Sequence, residues 1–322
     1  MPLQPSFPEV PVHDCGLLDV GDSNHIYWEI RGNPTGLPVL VVHDGPGAGR
    51  PPGAPKAFDP QVFRIIVFDQ RGCGDSVPNA ADPATNMAVN TTGHLLADME
   101  ALREHLHVDQ WLLYGGSWAS TLILAYAQRH PDRVHGIVAV AVTLTQPDDI
   151  DWRYHSLRQL LPLDWERFRA GVPTHQRGGN LVHAYHQLMN DPDPAVRRQA
   201  AHDWCAWQDA AVAHENPGNP GPYSTTSEAT QLAFARISTH YLAHAAWLED
   251  RQILRNTHRL NGIPGILLHG RLDLACPLRS AWELAQAWPD AELTIIDDAG
   301  HTGSPTLQAA IFTAVATFST LH

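Results

Sequence analysis

The feature that most constrains this chain is a regular alternation. Short apolar, β-rich runs bounded by turn residues occur at Val39–His43, Arg64–Asp69, Trp111–Tyr114, Gly136–Val142, Gly265–His269 and Glu292–Asp297. Helical periodicity fills the intervals: Thr92–His105, with Leu95, Leu96, Met99 and Leu102 as its apolar positions, then Ser117–Arg129, Ala281–Trp288 and Thr306–Phe318. Runs so short and so continuously apolar suit strands covered on both faces. The alternation therefore predicts an α/β fold, a mostly parallel doubly wound sheet with helices on both faces. Gly16–Val20 and His25–Ile30, joined by Gly21-Asp22-Ser23-Asn24, predict an antiparallel hairpin at its edge.

Between Thr145 and Arg251 the alternation stops. Trp, His, Ala and Arg fill helical stretches interrupted at Pro162, at Gly171-Val172-Pro173, at Asp191-Pro192-Asp193-Pro194 and across 216–222, and strand-like runs then resume. The chain is thus expected to comprise a sheet core, 1–144 and 252–322, with a helical cap, 145–251, inserted into it. Ligands of open α/β sheets bind beyond the carboxyl ends of the strands, where such a cap would close the site. The Pro/Gly-rich stretch 216–222 reads as a loop within the cap.

Composition narrows the classes of partner. Of the 322 residues, 43% are hydrophobic and 17% charged, so the chain is an ordinary globular one. Basic residues number 21 against 34 acidic, a net charge of -13, and they are scattered, which excludes nucleic acid and anionic membrane surfaces as expected partners. Lys56 is the one lysine, which reads as coding bias because the arginines do not cluster. Cys15, Cys73, Cys205 and Cys276 lie far apart with no metal-ligand spacing. They are expected to be buried thiols in a reducing compartment, although a disulfide is not excluded. Met1-Pro2-Leu3-Gln4-Pro5 has no basic or apolar leader character, and no apolar run is long enough to span a bilayer. A cytoplasmic protein is expected.

The strongest local signal is Gly115-Gly116-Ser117-Trp118-Ala119-Ser120, between the run Trp111–Tyr114 and a helical pattern. A serine on a tight strand-to-helix turn presents its hydroxyl at the top of the sheet, and the crowded turn demands small neighbours. Ala119 stands where a second glycine is usual. The plainer reading is a serine that merely opens a helix. A serine nucleophile needs a base, and the base an orienting acid, in the chain order Ser, Asp or Glu, His for this kind of sheet. Asp273 in His269-Gly270-Arg271-Leu272-Asp273 and His301 in Asp297-Asp298-Ala299-Gly300-His301 each follow a predicted strand and supply that order. Asp297 and Asp298 are rival acids, better read as turn residues. With 20 histidines in the chain, position and order carry His301, not its residue type.

An oxyanion hole is needed as charge develops on the attacked carbonyl. His43-Asp44-Gly45-Pro46-Gly47 follows a strand, so Gly45 is assigned one backbone donor and Trp118, after the serine, the other. Asp69-Gln70-Arg71-Gly72-Cys73-Gly74-Asp75-Ser76 has neither a P-loop lysine nor G-x-G-x-x-G spacing and reads as a structural loop bracing the site.

Over essentially its whole length the sequence resembles the proline iminopeptidase (prolyl aminopeptidase) family of α/β-hydrolases. The resemblance is carried by H-x-G-P-G at His43, D-Q-R-G-C-G-x-S at Asp69, G-G-S-W at Gly115, W-x-x-W at Trp204 and Trp207, A-R-I-x-x-H-Y at Ala235–Tyr241, G-R-x-D-x-x-C-P at Gly270 and A-G-H at Ala299. It implies an α/β-hydrolase fold and release of an N-terminal proline, or a similar small aminoacyl group, through an acyl-enzyme on Ser117, without metal or organic cofactor, from a small-molecule or short-peptide substrate. It also implies substrate contacts at Trp204, Trp207, Gln208, Ser238, Tyr241 and Asp44. Two departures stand out, because the family's motifs continue as W-x-x-W-E and A-R-I-E and the two glutamates hold the substrate's amino group. Here those positions are Gln208 and Ser238. A buried ammonium without countercharge is disfavoured, so amine recognition is expected to be weakened unless Asp209, Glu215 or Glu228 substitutes. Asp44 replaces a glycine and would oppose the oxyanion unless turned away or paired. Two alternatives follow: an esterase or amidase for a neutral acyl group, and a non-catalytic binding protein.

Overall fold

The computed structural model describes residues 7–50, 54–215, 217–218 and 221–319. The segment Met1–Pro5 and part of the stretch 216–222 lie outside the described residues. The elements, in chain order, are β1 Val12–Asp19, β2 His25–Gly32, β3 Leu37–Val42, β4 Phe63–Phe68, α1 Thr92–His105, β5 Trp111–Gly116, α2 Trp118–Arg129 and β6 Val134–Val140. Helices α3 Pro147–Tyr154, α4 Pro162–Ala170, α5 Leu181–Met189, α6 Pro194–Val212, α7 Glu228–Ala243 and the short α8 Gln252–Arg255 follow. The chain then adds β7 Gly265–Gly270, α9 Leu278–Ala287, β8 Ala291–Ile296 and α10 Pro305–Ser319.

The eight strands form one sheet in the order β1-β2-β4-β3-β5-β6-β7-β8. β1 and β2 pair antiparallel, as do β2 and β4, and every later neighbour is parallel. Period-two alternation divides the strand residues between two cores: Leu40 and Val42 of β3 enter one, with Trp111, Leu113 and Trp118, while Val39 and Val41 enter the other, with Leu112, Val138 and Phe318. Both faces are covered, and this is why the parallel strands read as unbroken apolar runs.

The edge hairpin is longer than its sequence signal. β1 begins at Val12 rather than Gly16, and Val12, His13, Asp14 and Cys15 are all exposed, so no burial periodicity marks them. Cys15 is correspondingly an exposed thiol, contrary to the expectation that all four would be buried; Cys73, Cys205 and Cys276 are buried, and none of the four is in a disulfide. Pro162 opens α4 instead of interrupting a helix, since a first-turn position has no intrahelical hydrogen bond to lose. Asp193 caps α6, its side chain accepting from Ala195 N at 2.8 Å.

No strand lies between β6 and β7 among the described residues; helices α3 to α8 fill that interval. Most of them share an aromatic core that includes Tyr154, Phe168, Tyr185, Trp204, Trp207 and Phe234. Tyr154 stacks on Trp204 with centroids 4.8 Å apart and Phe168 on Trp207 at 5.2 Å. The segment is tied to the rest of the fold by buried Arg236 of α7, which donates to the carbonyls of Ala80, Asp82, Pro83 and Thr85. Among the described residues no helix is long and apolar enough to cross a membrane.

Candidate active site

Four loops leave the carboxyl ends of β3, β5, β7 and β8, and parallel pairing puts all four on one edge of the sheet. They carry Gly45, Ser117, Asp273 and His301. Ser117 joins β5 to α2 with φ 54° and ψ -129°, a left-handed conformation that costs about 1–3 kcal/mol for a residue with a side chain. The turn is as crowded as the hexapeptide suggests: a Cβ on Gly115 would lie 2.6 Å from Ala119 Cβ. Glycine at 115 is therefore the counterpart of alanine at 119.

Asp273 is fully buried and fixed by its surroundings. Its Oδ1 accepts from Ala275 N and Cys276 N, both at 2.8 Å, and its Oδ2 lies 3.0 Å from His301 Nδ1. Desolvation would raise the pKa of the carboxyl, but the charge and hydrogen bond of His301 outweigh it and hold it below 3.8. The converse holds for His301: burial opposes protonation, yet Asp273 outweighs burial and lifts the ring well above 6.5. Ser117 Oγ meets Cys276 Sγ at 3.8 Å and makes no hydrogen bond to the His301 ring. Cys276 Sγ in turn lies within 4.8 Å of ligand atoms of both Asp273 and His301. In the sequence Cys276 looks like one more scattered thiol, and its signal is its place three residues after Asp273 in G-R-x-D-x-x-C-P.

The rival acids lie elsewhere. Exposed Asp297 accepts from Arg271 Nε at 2.5 Å, and Asp298 accepts from Ser304 and Thr306 hydroxyls. Of the three acids considered for amine binding, Asp209 accepts from Tyr223 N at 2.8 Å and Ser224 N at 2.9 Å, Glu215 accepts from His301 N at 2.7 Å and Thr302 N at 2.6 Å, and Glu228 is exposed in the first turn of α7. Two of the three are thus committed to backbone donors.

The two assigned oxyanion arms are linked through the 69–76 loop. His43 is buried; its Nε2 accepts from Gln70 N at 2.9 Å, so its Nδ1 is the donor to Asp44 O, also at 2.9 Å. Burial holds this imidazole neutral by lowering its pKa. Gln70 Nε2 donates to His43 O at 2.8 Å, and Gln70 Oε1 accepts from Trp118 Nε1 at 3.1 Å. Trp118 N belongs to the first turn of α2, where backbone N–H groups have no intrahelical acceptor. Gly45 has φ 130°.

A cavity of about 70 Å3 is lined by Asp44, Gly45, Ser117, Trp118, Cys276 and His301 from the loops, and by Arg153, Tyr154, Gln208, Tyr223 and Phe234 from the segment between β6 and β7. Among the residues expected to contact substrate, Asp44 and Gln208 line it. Trp204 and Trp207 are instead packed in the aromatic core, Ser238 is buried with its Oγ donating to Pro46 O at 2.8 Å, and Tyr241 OH donates to Asn90 Oδ1 at 2.8 Å beneath Trp118. Larger clefts of about 540 and 760 Å3 lie on the helical segment, and neither is lined by Ser117, Asp273 or His301. Among the described residues two groups of side chains come close enough to hold a metal ion: His186, His240 and His244 on α5 and α7, and Asp273, Cys276 and His301 themselves.

A sheet of this order, with a serine on a strained strand-to-helix turn and an Asp–His pair beyond later strands, defines a serine hydrolase of the α/β-hydrolase class. A family model described as alpha/beta hydrolase fold matches residues 38–305. The chain is 43% identical over 313 residues to a probable proline iminopeptidase of Streptomyces coelicolor, covering 96% of both chains, and 41% identical over 310 residues to the proline iminopeptidase of Neisseria gonorrhoeae, covering 95% of this chain and 96% of the relative. It therefore belongs to the proline iminopeptidase family of α/β-hydrolases. The fold is also that of a proline iminopeptidase-related protein from Thermus thermophilus, with a TM-score of 0.56 at 22% identity over 95% of this chain and 97% of that one.

Proposed function

We propose that this hydrolase releases a small N-terminal residue, proline or one of similar size, from an amide through an acyl-enzyme on Ser117. The hydrogen bond from His301 to Asp273 at 3.0 Å, beside the cavity that Ser117 also lines, carries this reading. Rotation of the Ser117 hydroxyl away from Cys276 Sγ directs its proton to His301 Nε2, and the serine oxygen bonds to the substrate carbonyl carbon. The backbone N–H groups of Gly45 and Trp118 receive the oxyanion. The C–N bond then breaks as His301 returns the proton to the leaving amine, and water releases the acyl group by the same steps in reverse order. Residues 145–251 act as the cap, contributing the Arg153, Tyr154, Gln208, Tyr223 and Phe234 side of the cavity.

Asp44 supplies the countercharge for a free amine. It is half-buried on the cavity, and among the described residues its carboxylate makes no hydrogen bond or ion pair. A second reading, hydrolysis of acyl groups that lack a free amine, is supported by Gln208, whose neutral amide is held by Arg153 and Tyr154. Release of arylamine from prolyl and other aminoacyl arylamides, lost in Ser117→Ala, tests the first reading. Faster turnover of blocked substrates than of free-amine ones favours the second, and no turnover of any aminoacyl arylamide rejects the first.

A further inference from the structure

We infer that Arg153 is a specificity residue that binds a carboxylate on the acyl part of the substrate; the inference rests on the acyl transfer proposed above. Arg153 projects from α3 and lines the same small cavity as Ser117 and His301. Its Nη2 donates to Gln208 Oε1, a neutral acceptor, and its Nε is buried without any hydrogen-bond partner. Among the described residues no carboxylate pairs with it. The two carboxylates on the cavity do not fill that role: Asp149 spends Oδ1 on Ser280 Oγ at 2.5 Å and Oδ2 on Leu144 N at 3.0 Å, and Asp44 forms no ion pair.

A guanidinium held at a partly dry wall without a countercharge is costly, and one with an unsatisfied buried N–H more so. A bound anion supplies the missing countercharge, and a carboxylate can accept from two guanidinium donors at once in a geometry that a single point charge does not match. The small cavity, about 70 Å3, suits an anion carried by a short acyl group on Ser117. The chemical class is thus a short acyl group bearing a carboxylate, and Asp44 leaves room in the same site for an ammonium on that group.

The test uses isosteric pairs that differ only as carboxylate against carboxamide: succinyl against succinamyl 4-nitroanilide, without an amine, and aspartyl against asparaginyl 4-nitroanilide, with one. In whichever pair the enzyme turns over, the carboxylate member is expected to show at least about tenfold higher kcat/KM. Arg153→Met should collapse that ratio, and Arg153→Glu should invert it, which a residue serving only to hold Gln208 would not do. A measurement on the unaltered enzyme stands beside these variants: succinate should slow fluorophosphonate labelling of Ser117, and succinamide should not. Equal turnover within the pairs, turnover of neither pair, or equal protection by the two ligands overturns the role of Arg153 while labelling of Ser117 leaves the acyl-enzyme reading standing. Failure of Ser117 to label at all rejects the acyl-enzyme reading itself.

Discussion

The carboxylate of Glu215 accepts from the backbone N–H of His301 at 2.7 Å, and from Thr302 N and Oγ1 at 2.6 and 2.7 Å. Gly300 makes this possible, since a Cβ there would stand 2.3 Å from Glu215 Cδ. A residue of the helical segment thereby fixes the loop that carries His301, the proposed general base. Glu215→Gln puts an amide NH2 against donors that need an acceptor, and a displacement of order 1 Å at a reacting group can cost up to about 10²-fold in rate. The expected outcome is a fall of about 10- to 100-fold in kcat with KM little changed, read by steady-state kinetics. An equal loss confined to KM would make Glu215 a substrate contact instead.

The Gly115–Ala119 contact predicts a pair of substitutions that correct one another. Gly115→Ala overpacks the turn and is expected to destabilise the fold by about 1–3 kcal/mol. Ala119→Gly opens space at the cost of helix propensity, about 1 kcal/mol. Because the added methyl fills the space left by the lost one, the double variant should be more stable than the sum of the two single effects, by about 1 kcal/mol in a urea-denaturation cycle. Strict additivity would mean that the clash lies elsewhere on the turn.

The alternation of runs is enough to read the sheet, because a two-sided core leaves its mark on every buried strand. Ser117, Asp273 and His301 are legible as candidates because each stands just after a strand, where backbone geometry alone directs it to the edge of the sheet. The contacts that run across the fold were not legible. Nothing local distinguishes Glu215, which serves His301 from the helical segment, or Arg153, whose interest comes from the carboxylate it lacks. Trp204 and Trp207, expected to touch substrate, are packed inward, because i and i+3 on a helix share a face and the sequence does not say which side of it is covered. Ser238 went the same way, its hydroxyl spent on Pro46 O.

The raised pKa of His301 fixes a pH dependence. The serine needs the neutral imidazole, so kcat/KM should rise with pH through an apparent value above 6.5. Asp273→Asn should move that limb to lower pH and reduce kcat by roughly 10³–10⁴-fold. For stability the sign is opposite to that of activity. A ring that binds its proton more tightly folded than unfolded contributes fully below the unfolded value of about 6.5, and the contribution is lost as pH rises through the folded pKa. Melting of Ser117→Ala across that range, compared with Ser117→Ala, His301→Gln, isolates the contribution, and parallel Tm curves would contradict the shift.

Gln208→Glu tests the electrostatics of the cavity wall. In the present structure Gln208 Oε1 accepts from Arg153 Nη2 while Nε2 donates to Tyr154 OH at 3.0 Å. A carboxylate at 208 would keep the Arg153 contact as an ion pair and accept from Tyr154 once that hydroxyl turns its proton round, so no buried partner is left unsatisfied. The guanidinium would then have the countercharge that a substrate carboxylate is proposed to bring. The preference for carboxylate-bearing acyl groups should fall by at least about tenfold, and free-amine substrates should gain relative to blocked ones. Ser238→Glu offers no such compensation. It would bury an acid where a hydroxyl now donates to Pro46 O, with no cation in hydrogen-bond contact, at a cost of several kcal/mol. The single substitution should therefore shift substrate ranking in a folded enzyme, while the combination with Ser238→Glu should lower Tm sharply before any ranking can be read. A double variant as stable as the single one would place Ser238 nearer the cavity than its contact with Pro46 implies.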